Sequence, residues 1–317
     1  MKKKVSIRIP CYNEEKNISL MYDVLIKLFS NELKKYDYEI LFIDNKSLDN
    51  TREEIRKICD KDKNVKAIFN AKNFGQFKSP YYGLLHTTGD CTISLAADFQ
   101  EPVEVIPEFI KEWENGYKIV CGIKNKSKES KLMYTFRKIG YAIIRKFSDV
   151  ETIDQFTGFG LYDKSFIDVL KKLNDPEPYF RGIVAELGYE PKIVYYTQQN
   201  RLHGKSSNNI MRLLDAGMVG VTSYTKKEIH MATLFGFFIA ILSFVAGIIY
   251  LILKLCNWNE FDAGIAPLII GMFFLGGIQI FLISFIGEYI VSINQRVMNR
   301  PLVVEEERIN FNEKESK

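Results

Sequence analysis

A recurring unit in the first third of the chain constrains the fold most strongly: an apolar, strand-like run leads into a polar turn, and helical spacing follows. The strand-like runs are Val5–Ile9, Glu39–Asp44, Val65–Phe69, Cys91–Asp98 and Lys118–Ile123. Strands that alternate with helices are typical of a parallel sheet covered by helices on both faces. The pattern therefore predicts an α/β fold with a doubly wound, mostly parallel sheet.

Local signals place further helices. Ser79–Leu85 is predicted to be helical, with Pro80 in its first turn. Helices are also expected from Val103 to about Glu114 and over Leu132–Phe147. Asp154–Asp163 is rich in glycine and aromatic residues and leads into another helix.

The end of the fourth strand-like run carries a candidate metal site. In open α/β sheets, ligands bind at the carboxyl ends of the strands. Asp98 and Gln100 are two residues apart, so on an emerging strand their side chains would point the same way. Their carboxylate and amide oxygens suit Mg²⁺ or Mn²⁺. A strand that simply ends in a polar turn explains the same residues, and this stretch alone leaves both interpretations open.

Two uncharged apolar runs, Met231–Leu253 and Ala263–Gly287, occur near the C-terminus. Helices of this length span a bilayer core of about 30 Å, so the runs predict a transmembrane hairpin. Basic residues flank the hairpin on both sides: Lys226, Lys227, Arg296 and Arg300. By the positive-inside rule, both ends of the hairpin are expected to face the cytoplasm.

These features divide the chain into four parts. Residues 1–207 are predicted to form a cytoplasmic domain, residues 208–229 a juxtamembrane amphipathic helix, residues 230–289 the two transmembrane helices (about 231–253 and 263–287), and residues 290–317 a cytoplasmic tail. The pattern of the amphipathic helix fits the lipid headgroup layer, and it also fits a helix that faces a protein core. The tail after Arg300 is polar and is predicted to be mobile.

Composition argues against several other classes of protein. The five cysteines are scattered without a Cys-x-x-Cys spacing, so neither a disulfide framework nor a zinc site is predicted. The net charge of +4 suits an anionic membrane surface and does not indicate nucleic-acid binding.

Seven motifs occur in a characteristic order. They are Ile9–Glu15, Phe42–Thr51, Asn73–Gly75, Ala97–Pro102, Thr157–Asp163, Phe180–Gly182 and Arg201–Ser206. Together with the two apolar runs, they resemble the family-2 glycosyltransferases of the polyprenyl-phosphate type, which include dolichyl-phosphate mannose synthase and the undecaprenyl-phosphate sugar transferases. No single motif is specific, but the ordered set covers nearly the whole chain. The resemblance implies the type A fold of nucleotide-sugar transferases.

The resemblance also implies which residues bind the nucleotide: Pro10, Tyr12, Glu14, Asp44 and Asp98. Asp44 would accept a hydrogen bond from the base or the ribose. The alternative is that Asp44 caps the helix that follows it.

The chain departs from the family pattern at two places. Where the family usually has Asp-Asp-Gly-Ser, Asp44–Ser47 reads Asp-Asn-Lys-Ser, and Ala96 replaces the first aspartate of the usual Asp-x-Asp motif. A metal ion would therefore be held by Asp98 and Gln100 together with the donor diphosphate. Such a site is reasonable because Mg²⁺ commonly takes only one or two carboxylates.

The implied reaction is attack of a lipid phosphate oxygen on the anomeric carbon of a nucleotide sugar. A phosphate monoester is largely ionised at neutral pH, so the reaction needs positive charge more than a general base. Asp98, Arg181 and Arg201 are the predicted catalytic residues. The predicted contacts to the acceptor phosphate are Arg137, Lys138, Arg201 and Ser206. The basic pair at positions 137 and 138 also fits a simple electrostatic anchor on the membrane.

The sequence thus predicts an integral membrane protein of the bacterial inner membrane with a cytoplasmic catalytic domain. The expected reaction is the inverting transfer of one sugar from a nucleotide sugar to polyprenyl (undecaprenyl or dolichyl) phosphate with Mg²⁺ or Mn²⁺, in the synthesis of cell-surface polysaccharide. Transfer to another membrane lipid and non-catalytic, membrane-tethered binding of nucleotide sugars are the alternatives. The sequence does not determine the sugar, the nucleotide or the prenol length. It also does not determine whether the protein forms a homo-oligomer.

Overall fold

The computed structural model describes residues 2–126, 153, 155–203 and 265–311, together with single positions between 235 and 256. Within these residues the strands are β1 (Lys4–Cys11), β2 (Asp37–Asp44), β3 (Val65–Asn70), β4 (Cys91–Ser94), β5 (Ile119–Lys126), β6 (Phe156–Asp163), β7 (Lys192–Thr197) and β8 (Glu305–Ile309). The helices are α1 (Glu15–Asn31), α2 (Thr51–Lys61), α3 (Gly75–Leu85), α4 (Ile106–Glu114), α5 (Lys164–Leu173), α6 (Phe180–Glu186) and α7 (Ile265–Val297), and a 3₁₀ turn (Val103–Val105) precedes α4.

The eight strands form one sheet in the order β7-β5-β6-β4-β1-β2-β3-β8. Strand β1 pairs in parallel with β2 and β4, β2 pairs in parallel with β3, and β5 pairs in parallel with β7. Strands β6 and β8 run antiparallel to their neighbours. The predicted α/β architecture with a mostly parallel sheet is therefore confirmed.

Apolar side chains cover both faces of the central strands. In β2, Ile40 and Phe42 belong to the cluster that includes the buried side of α1, whereas Leu41 and Ile43 pack with Ile68 in a second cluster. Successive strand residues point to opposite faces, so this division shows that β2 is buried on both sides. Helices cover both faces of the sheet and exclude water from them. The carboxyl ends of the strands are not covered in this way, and polar residues are found there.

Two predicted element boundaries are wrong. Helix α3 begins at Gly75, earlier than the predicted Ser79, and Pro80 lies inside it. The side chain of Asn73 accepts the Gly75 N–H, so a polar turn that looks like a helix breaker starts the helix. Strand β4 ends at Ser94, well short of the predicted Asp98.

The sequence does not reveal β6 as a strand, because its glycines weaken the signal. In the structure β6 lies between β4 and β5. A Cβ atom at Gly160 would collide with the backbone oxygen of Val120 in β5. Glycine is therefore required there by the close approach of two strands, and not by a turn.

The C-terminal region also differs from the prediction of a mobile tail. Strand β8 lies within it, pairs antiparallel with β3 and forms one edge of the sheet. Val303, just before β8, is buried. The segment is polar because it carries the charged partners of groups on the neighbouring helix α2.

Several predicted segments lie outside the described residues. These are the helix over Leu132–Phe147, the amphipathic helix 208–229 and most of the first apolar run. Residues 265–287 of the second apolar run lie in α7, whose side chains at Leu268, Met272, Phe274 and Ile280 are exposed. Among the residues that the structure describes, no helix combines the length and the apolar character needed to cross a membrane.

Candidate active site

Two polar turns at the carboxyl ends of β1 and β2 are joined by side chains. The Asn13 N–H donates to the Ser47 hydroxyl at 2.9 Å, and the Leu48 N–H donates to Asn13 Oδ1 at 2.8 Å. The Glu14 N–H donates to the Thr51 hydroxyl at 2.8 Å. These bonds hold Glu14 at the edge of the sheet where α/β folds bind ligands. The neighbouring residues predicted to line the nucleotide lie there too, because Pro10 is the penultimate residue of strand β1 and Tyr12 directly follows the strand.

Asp44, another predicted nucleotide ligand, is completely buried at the end of β2. Its carboxylate accepts the Ser47 N–H and forms an ion pair with Arg52, whose Nε lies 2.6 Å from Oδ2. Arg52 also donates to the Asn70 carbonyl oxygen at 2.7 Å. The structure thus gives Asp44 a role in holding the turn and Arg52. Direct contact with the nucleotide remains a prediction.

Asn45 replaces a carboxylate of the family pattern, and its side chain fastens the loop before α3. It donates to Asn73 Oδ1 and to the Gly75 carbonyl oxygen, both at 3.0 Å. Its oxygen accepts the Phe74 N–H at 2.8 Å and the Asn70 side-chain amide at 3.1 Å. An aspartate could not make the two donations. The substitution therefore serves the loop, a role that the sequence did not reveal.

Asp98 lies in a turn after β4 and not on an emerging strand. Phe99 has a left-handed backbone conformation (φ 60°), and Asp98 Oδ1 accepts the Gln100 N–H at 3.1 Å. The prediction that strand alternation aligns the two side chains is therefore wrong. Asp98 and Gln100 remain neighbours because the turn folds the backbone of Gln100 back onto the carboxylate.

Arg201 joins Asp98 to the first turn. Its Nη2 lies 2.9 Å from Asp98 Oδ2, and its Nη1 lies 3.7 Å from Glu14 Oε1. Backbone bonds support this arrangement, since the Leu202 N–H donates to the Asp98 carbonyl oxygen and the Gln199 N–H donates to that of Gln100. Three predicted site residues separated widely in sequence are thus brought together, and we call Glu14, Asp98 and Arg201 the carboxylate–arginine cluster.

The Glu14 carboxylate of this cluster is costly to keep ionised. Burial raises the pKa of the Glu14 carboxyl, and the nearby negative charge of Asp98 adds to the effect, while Asn17 and Arg201 oppose it. Arg201 is therefore the group that offsets the repulsion between the two acids. An anionic ligand such as a diphosphate would meet this arginine at the rim of the sheet.

Glu101, to which the sequence assigned no role, is half-buried beside the cluster. Its Oε2 accepts the Ala96 N–H at 2.7 Å, and its Oε1 accepts the Thr157 hydroxyl at 3.3 Å. Burial raises the pKa of the Glu101 carboxyl to about 7, with the charge of Asp98 contributing. Glu101 thus fixes the turn in which the family's first metal aspartate is replaced by Ala96.

Arg8, the other functional candidate that sequence reasoning missed, lies in the middle of β1. It is 5% exposed, and its Nη2 donates to the Ser94 hydroxyl in the neighbouring strand. Burial lowers the pKa of its guanidinium to about 10. The available signal was a charged residue between Ile7 and Ile9 near the centre of a strand-like run.

A cavity of about 240 Å³ opens between these residues. Its polar lining includes Arg8, Ser94, Glu101, Thr157 and Arg181. Aromatic and apolar walls come from α3, β6 and α6. The predicted catalytic residue Arg181 therefore belongs to this cavity, which reaches Pro10 and Ala96 at the sheet edge.

The donor set limits how a divalent cation can bind. The described part of the chain contains no group of three or more metal-type side chains, and Asp98 Oδ2 already faces Arg201. The residues fit a cation held by Asp98 and Gln100 only when other oxygens complete its shell, as a donor diphosphate would. Of the predicted acceptor contacts, Arg137, Lys138 and Ser206 lie outside the described residues.

Comparison with known proteins identifies the family. Residues 6–170 match the model of glycosyl transferase family 2. The chain is 33% identical over 297 residues to the putative glycosyltransferase CsbB of Bacillus subtilis (strain 168), covering 94% of this chain and 89% of that protein. It is 30% identical over 299 residues to the SfII prophage-derived bactoprenol glucosyl transferase of Shigella flexneri, covering 94% and 96% of the two chains.

Among solved structures, the S. aureus TarS 1-349 complex with UDP-GlcNAc aligns with a TM-score of 0.43 at 17% identity, covering 72% of this chain and 69% of that chain. The family match spans β1 to α5 and includes Glu14 and Asp98 of the carboxylate–arginine cluster. Two relatives of at least 30% identity extend the likeness over almost the whole chain. The chain is therefore a glycosyltransferase and belongs to glycosyl transferase family 2.

Proposed function

We propose that this enzyme transfers one sugar, with inversion, from a nucleotide sugar to polyprenyl phosphate at the cytoplasmic face of a membrane. The observation that carries the proposal is Arg201 held between Asp98 and Glu14 at the carboxyl edge of the sheet. Support for the acceptor comes from relatives named bactoprenol glucosyl transferases, since bactoprenol is a polyprenol.

The chemistry of the acceptor explains what the site contains. An oxygen of the lipid phosphate forms the new bond to the anomeric carbon, and the bond from that carbon to the nucleoside diphosphate breaks. The electron pair leaves with the diphosphate, so negative charge grows on its oxygen. The attacking phosphate is already ionised near neutral pH. A fixed cation such as Arg201 is then worth more than a base, because it stabilises the charge of the leaving group.

The role proposed for Asp98 is to orient this machinery. Its carboxylate holds Arg201 and, with Gln100, would hold a Mg²⁺ or Mn²⁺ ion that arrives with the donor. Such an ion would add positive charge at the diphosphate. Pro10, Tyr12 and Glu14 would line the nucleotide, while Asp44 would keep the second turn in place.

The membrane assignment belongs to the same proposal. Residues 1–207 would form the catalytic domain, residues 208–229 a helix on the headgroup layer, residues 230–289 the hairpin, and residues 290–317 a tail that returns to the domain. The exposed apolar side chains along α7, such as Leu268 and Met272, support contact with lipid. Extraction of native membranes with alkaline carbonate tests this: the protein should stay in the pellet, and its release would contradict the hairpin.

The activity is tested with the purified full chain in detergent. The assay combines Mn²⁺, undecaprenyl phosphate and radiolabelled nucleotide sugars, and it measures label in the lipid phase. We expect label in the lipid phase, and Asp98→Asn should reduce the rate by about 100-fold or more, as for loss of one transition-state contact. Asp60→Asn is the matched control, because Asp60 is exposed on α2.

Two results would count against the proposal. Bound nucleotide sugar without any lipid product across the panel would favour the membrane-tethered binding protein. Label that enters diacylglycerol, which offers a hydroxyl, but not undecaprenyl phosphate would favour another lipid acceptor.

A further inference from the structure

The cavity beside the carboxylate–arginine cluster contains a buried cation with unused hydrogen-bonding capacity. Arg8 is 5% exposed and donates to the Ser94 hydroxyl. Its buried Nε has no hydrogen-bond partner among the described residues. The ion pairs found in the described part of the chain do not include Arg8 within 4.0 Å of a carboxylate. The acidic groups that act on its charge, Tyr162 and Glu101, therefore do so only at longer range.

Such an arrangement is costly in a protein interior. A buried donor without an acceptor costs about 1–3 kcal/mol, and more when the group is charged. An apolar side chain at this position of β1 would remove that cost, because it carries no donor to satisfy. The position therefore makes physical sense if a ligand in the cavity that Arg8 lines pairs with the guanidinium.

The location of the cavity indicates which ligand that is. Its lining joins Pro10 in the nucleotide turn to Ala96 and Glu101 beside Asp98, and it adds Arg181 from α6. Its volume of about 240 Å³ is below the roughly 300–1,000 Å³ of pockets that enclose drug-sized ligands. The space suits one sugar ring with a substituent, while the nucleotide would remain outside.

We propose that this cavity, the Arg8 cavity, receives the sugar of the donor, and that Arg8 selects a sugar whose substituent carries a carbonyl or carboxylate oxygen. The inference rests on the proposed function and extends it from the reaction to the class of sugar. Arg8 is here a specificity-determining residue that contacts the substrate.

The donor-only chemistry of arginine supports this class of sugar. A guanidinium offers five N–H groups in a fixed fork and accepts no hydrogen bond. Acetamido and carboxylate groups present planar oxygens that only accept, whereas a sugar hydroxyl is a weaker match because it also carries a proton. The Thr157 and Ser94 hydroxyls, which adapt to either role, line the same cavity and can serve the ring hydroxyls.

The test compares donors that differ only in one substituent. UDP-glucose lacks the carbonyl, UDP-N-acetylglucosamine carries a neutral one, and UDP-glucuronic acid carries an anionic one. Binding of each donor and of UDP alone is measured by calorimetry with the full chain in detergent, and turnover is measured as label in undecaprenyl phosphate. The variants are Arg8→Met and Arg8→Lys, and Arg56→Met on the outer helix α2 is the matched control.

We expect the wild type and Arg56→Met to bind at least one carbonyl-bearing donor about 10-fold or more tightly than UDP-glucose, in the range that one buried polar contact provides. Arg8→Met should remove this preference and leave the affinity for UDP within about twofold, since the nucleotide lies outside the cavity. Arg8→Lys keeps the charge without the fork and should lose most of the preference. A larger loss for the acetamido donor identifies the neutral class, and a larger loss for the glucuronic acid donor identifies the acidic class.

Equal affinities for the three donors in the wild type, or a preference that survives in both Arg8 variants, would overturn the inference. Should Arg8→Met fail to fold, Arg8→Lys decides alone. The proposed function fails by a different result, namely UDP binding without lipid product from any donor. The two failures are distinguishable because the preference is read from binding and the reaction is read from label in the lipid.

Discussion

At the scale of single residues, the candidate site depends on side chains whose hydrogen bonds fix the position of neighbouring residues. Asn45 illustrates this, because none of its four side-chain hydrogen bonds is to a residue adjacent in sequence. Its partners lie in the loop that starts α3. Asn45 thus lacks the carboxylate of the family pattern but gains a side-chain amide. That amide donates to the Asn73 side-chain oxygen and to the Gly75 carbonyl oxygen.

The first prediction concerns this residue. Asn45→Ala should lower the free energy of unfolding by about 1–3 kcal/mol, because buried partners are left unpaired. Asn45→Asp, which keeps the size but not the donors, should be nearly as harmful. Chemical denaturation of the full chain checks both variants, and Asn50→Ala at the exposed start of α2 is the control. Wild-type stability of Asn45→Asp would show that the donated bonds contribute little.

A second residue-scale prediction concerns the metal. Because Asp98 is the only carboxylate proposed to hold it, Mn²⁺ should bind weakly to the protein alone and more tightly by about 10-fold or more when UDP is present, since the diphosphate completes the shell. Titration calorimetry with and without UDP measures the difference, and Asp98→Asn should abolish it. Equal Mn²⁺ affinity in both conditions would mean that a preformed site exists elsewhere.

Sequence reasoning anticipated part of this site. Glu14, Asp98 and Arg201 were each predicted, and the structure brings them together. Arg8 and Glu101 were missed because the spacing of residues in the sequence does not show which groups their side chains contact in the fold. The Arg8 guanidinium, for example, meets Ser94 across two parallel strands.

At the scale of elements, a buried charged side chain of one strand is paired with side chains of the adjacent strands. Glu39 in β2 is almost completely buried, and its carboxylate lies 2.8 Å from Lys66 Nζ in β3. It also accepts bonds from Ser6 in β1 and from the backbone and hydroxyl of Thr88. Burial opposes ionisation of Glu39, but Lys66 and these bonds outweigh it, so the pKa of the carboxyl is lowered.

This gives a prediction of pH dependence. A carboxyl whose pKa is lower in the folded than in the unfolded state stabilises the fold above its unfolded pKa of about 4.3, and the contribution is lost as the pH falls through the folded value. Lys66→Met leaves the buried charge uncompensated and should lower the free energy of unfolding at neutral pH by about 3–5 kcal/mol.

In Lys66→Met, burial then dominates and raises the pKa of Glu39, so the pH dependence of stability should reverse in sign for this group. The free energy of unfolding of the variant should rise on mild acidification to about pH 5, whereas the contribution of Glu39 in the wild type should stay unchanged over the same interval. Urea denaturation at neutral pH and at about pH 5 measures both effects. Lys57→Met on the exposed side of α2 is the control. Parallel loss of stability in wild type and Lys66→Met would contradict the coupling.

Strands that contain long apolar runs were predicted well. Elements whose position depends on a contact with another part of the chain were predicted poorly. Strands β1, β2 and β3 were found within a few residues of their predicted bounds. The start of α3 was misplaced because Asn73, in a loop that Asn45 holds, accepts the N–H of Gly75, the first residue of the helix. Strand β6 was hidden by glycine that the neighbouring strand requires.

At the scale of the whole molecule, the chain returns after α7 to the side of the sheet that carries Lys46 and Arg52. Strand β8 adds an edge to the sheet, and Glu306 in it contacts both Lys46 at 2.7 Å and Arg52 at 2.8 Å. Arg52 in turn holds Asp44. No local pattern could reveal this closure, since Glu306 and Lys46 are 260 positions apart.

Because Glu306 contacts Arg52 and Arg52 holds Asp44, we expect Glu306 to influence nucleotide binding. Glu306→Gln should weaken UDP binding by about two- to fivefold, and added salt should reduce the difference, because exposed ion pairs are weak and screened. Glu307→Gln is the matched control: the adjacent carboxylate contacts Arg56 and does not reach Arg52 in the structure. Equal UDP affinities of wild type and Glu306→Gln would show that the edge strand does not influence the site.

In the proposed reaction a fixed arginine, and not a protein base, promotes attack by an anionic lipid. The pH dependence of kcat/KM for undecaprenyl phosphate, measured in the wild type and in Arg201→Met, tests this. We expect a rise that follows ionisation of the acceptor phosphate near pH 6 and a plateau above it. In Arg201→Met, the plateau should fall by about 100-fold or more at an unchanged midpoint. A plateau as high in Arg201→Met as in the wild type would show that Arg201 does not promote the reaction.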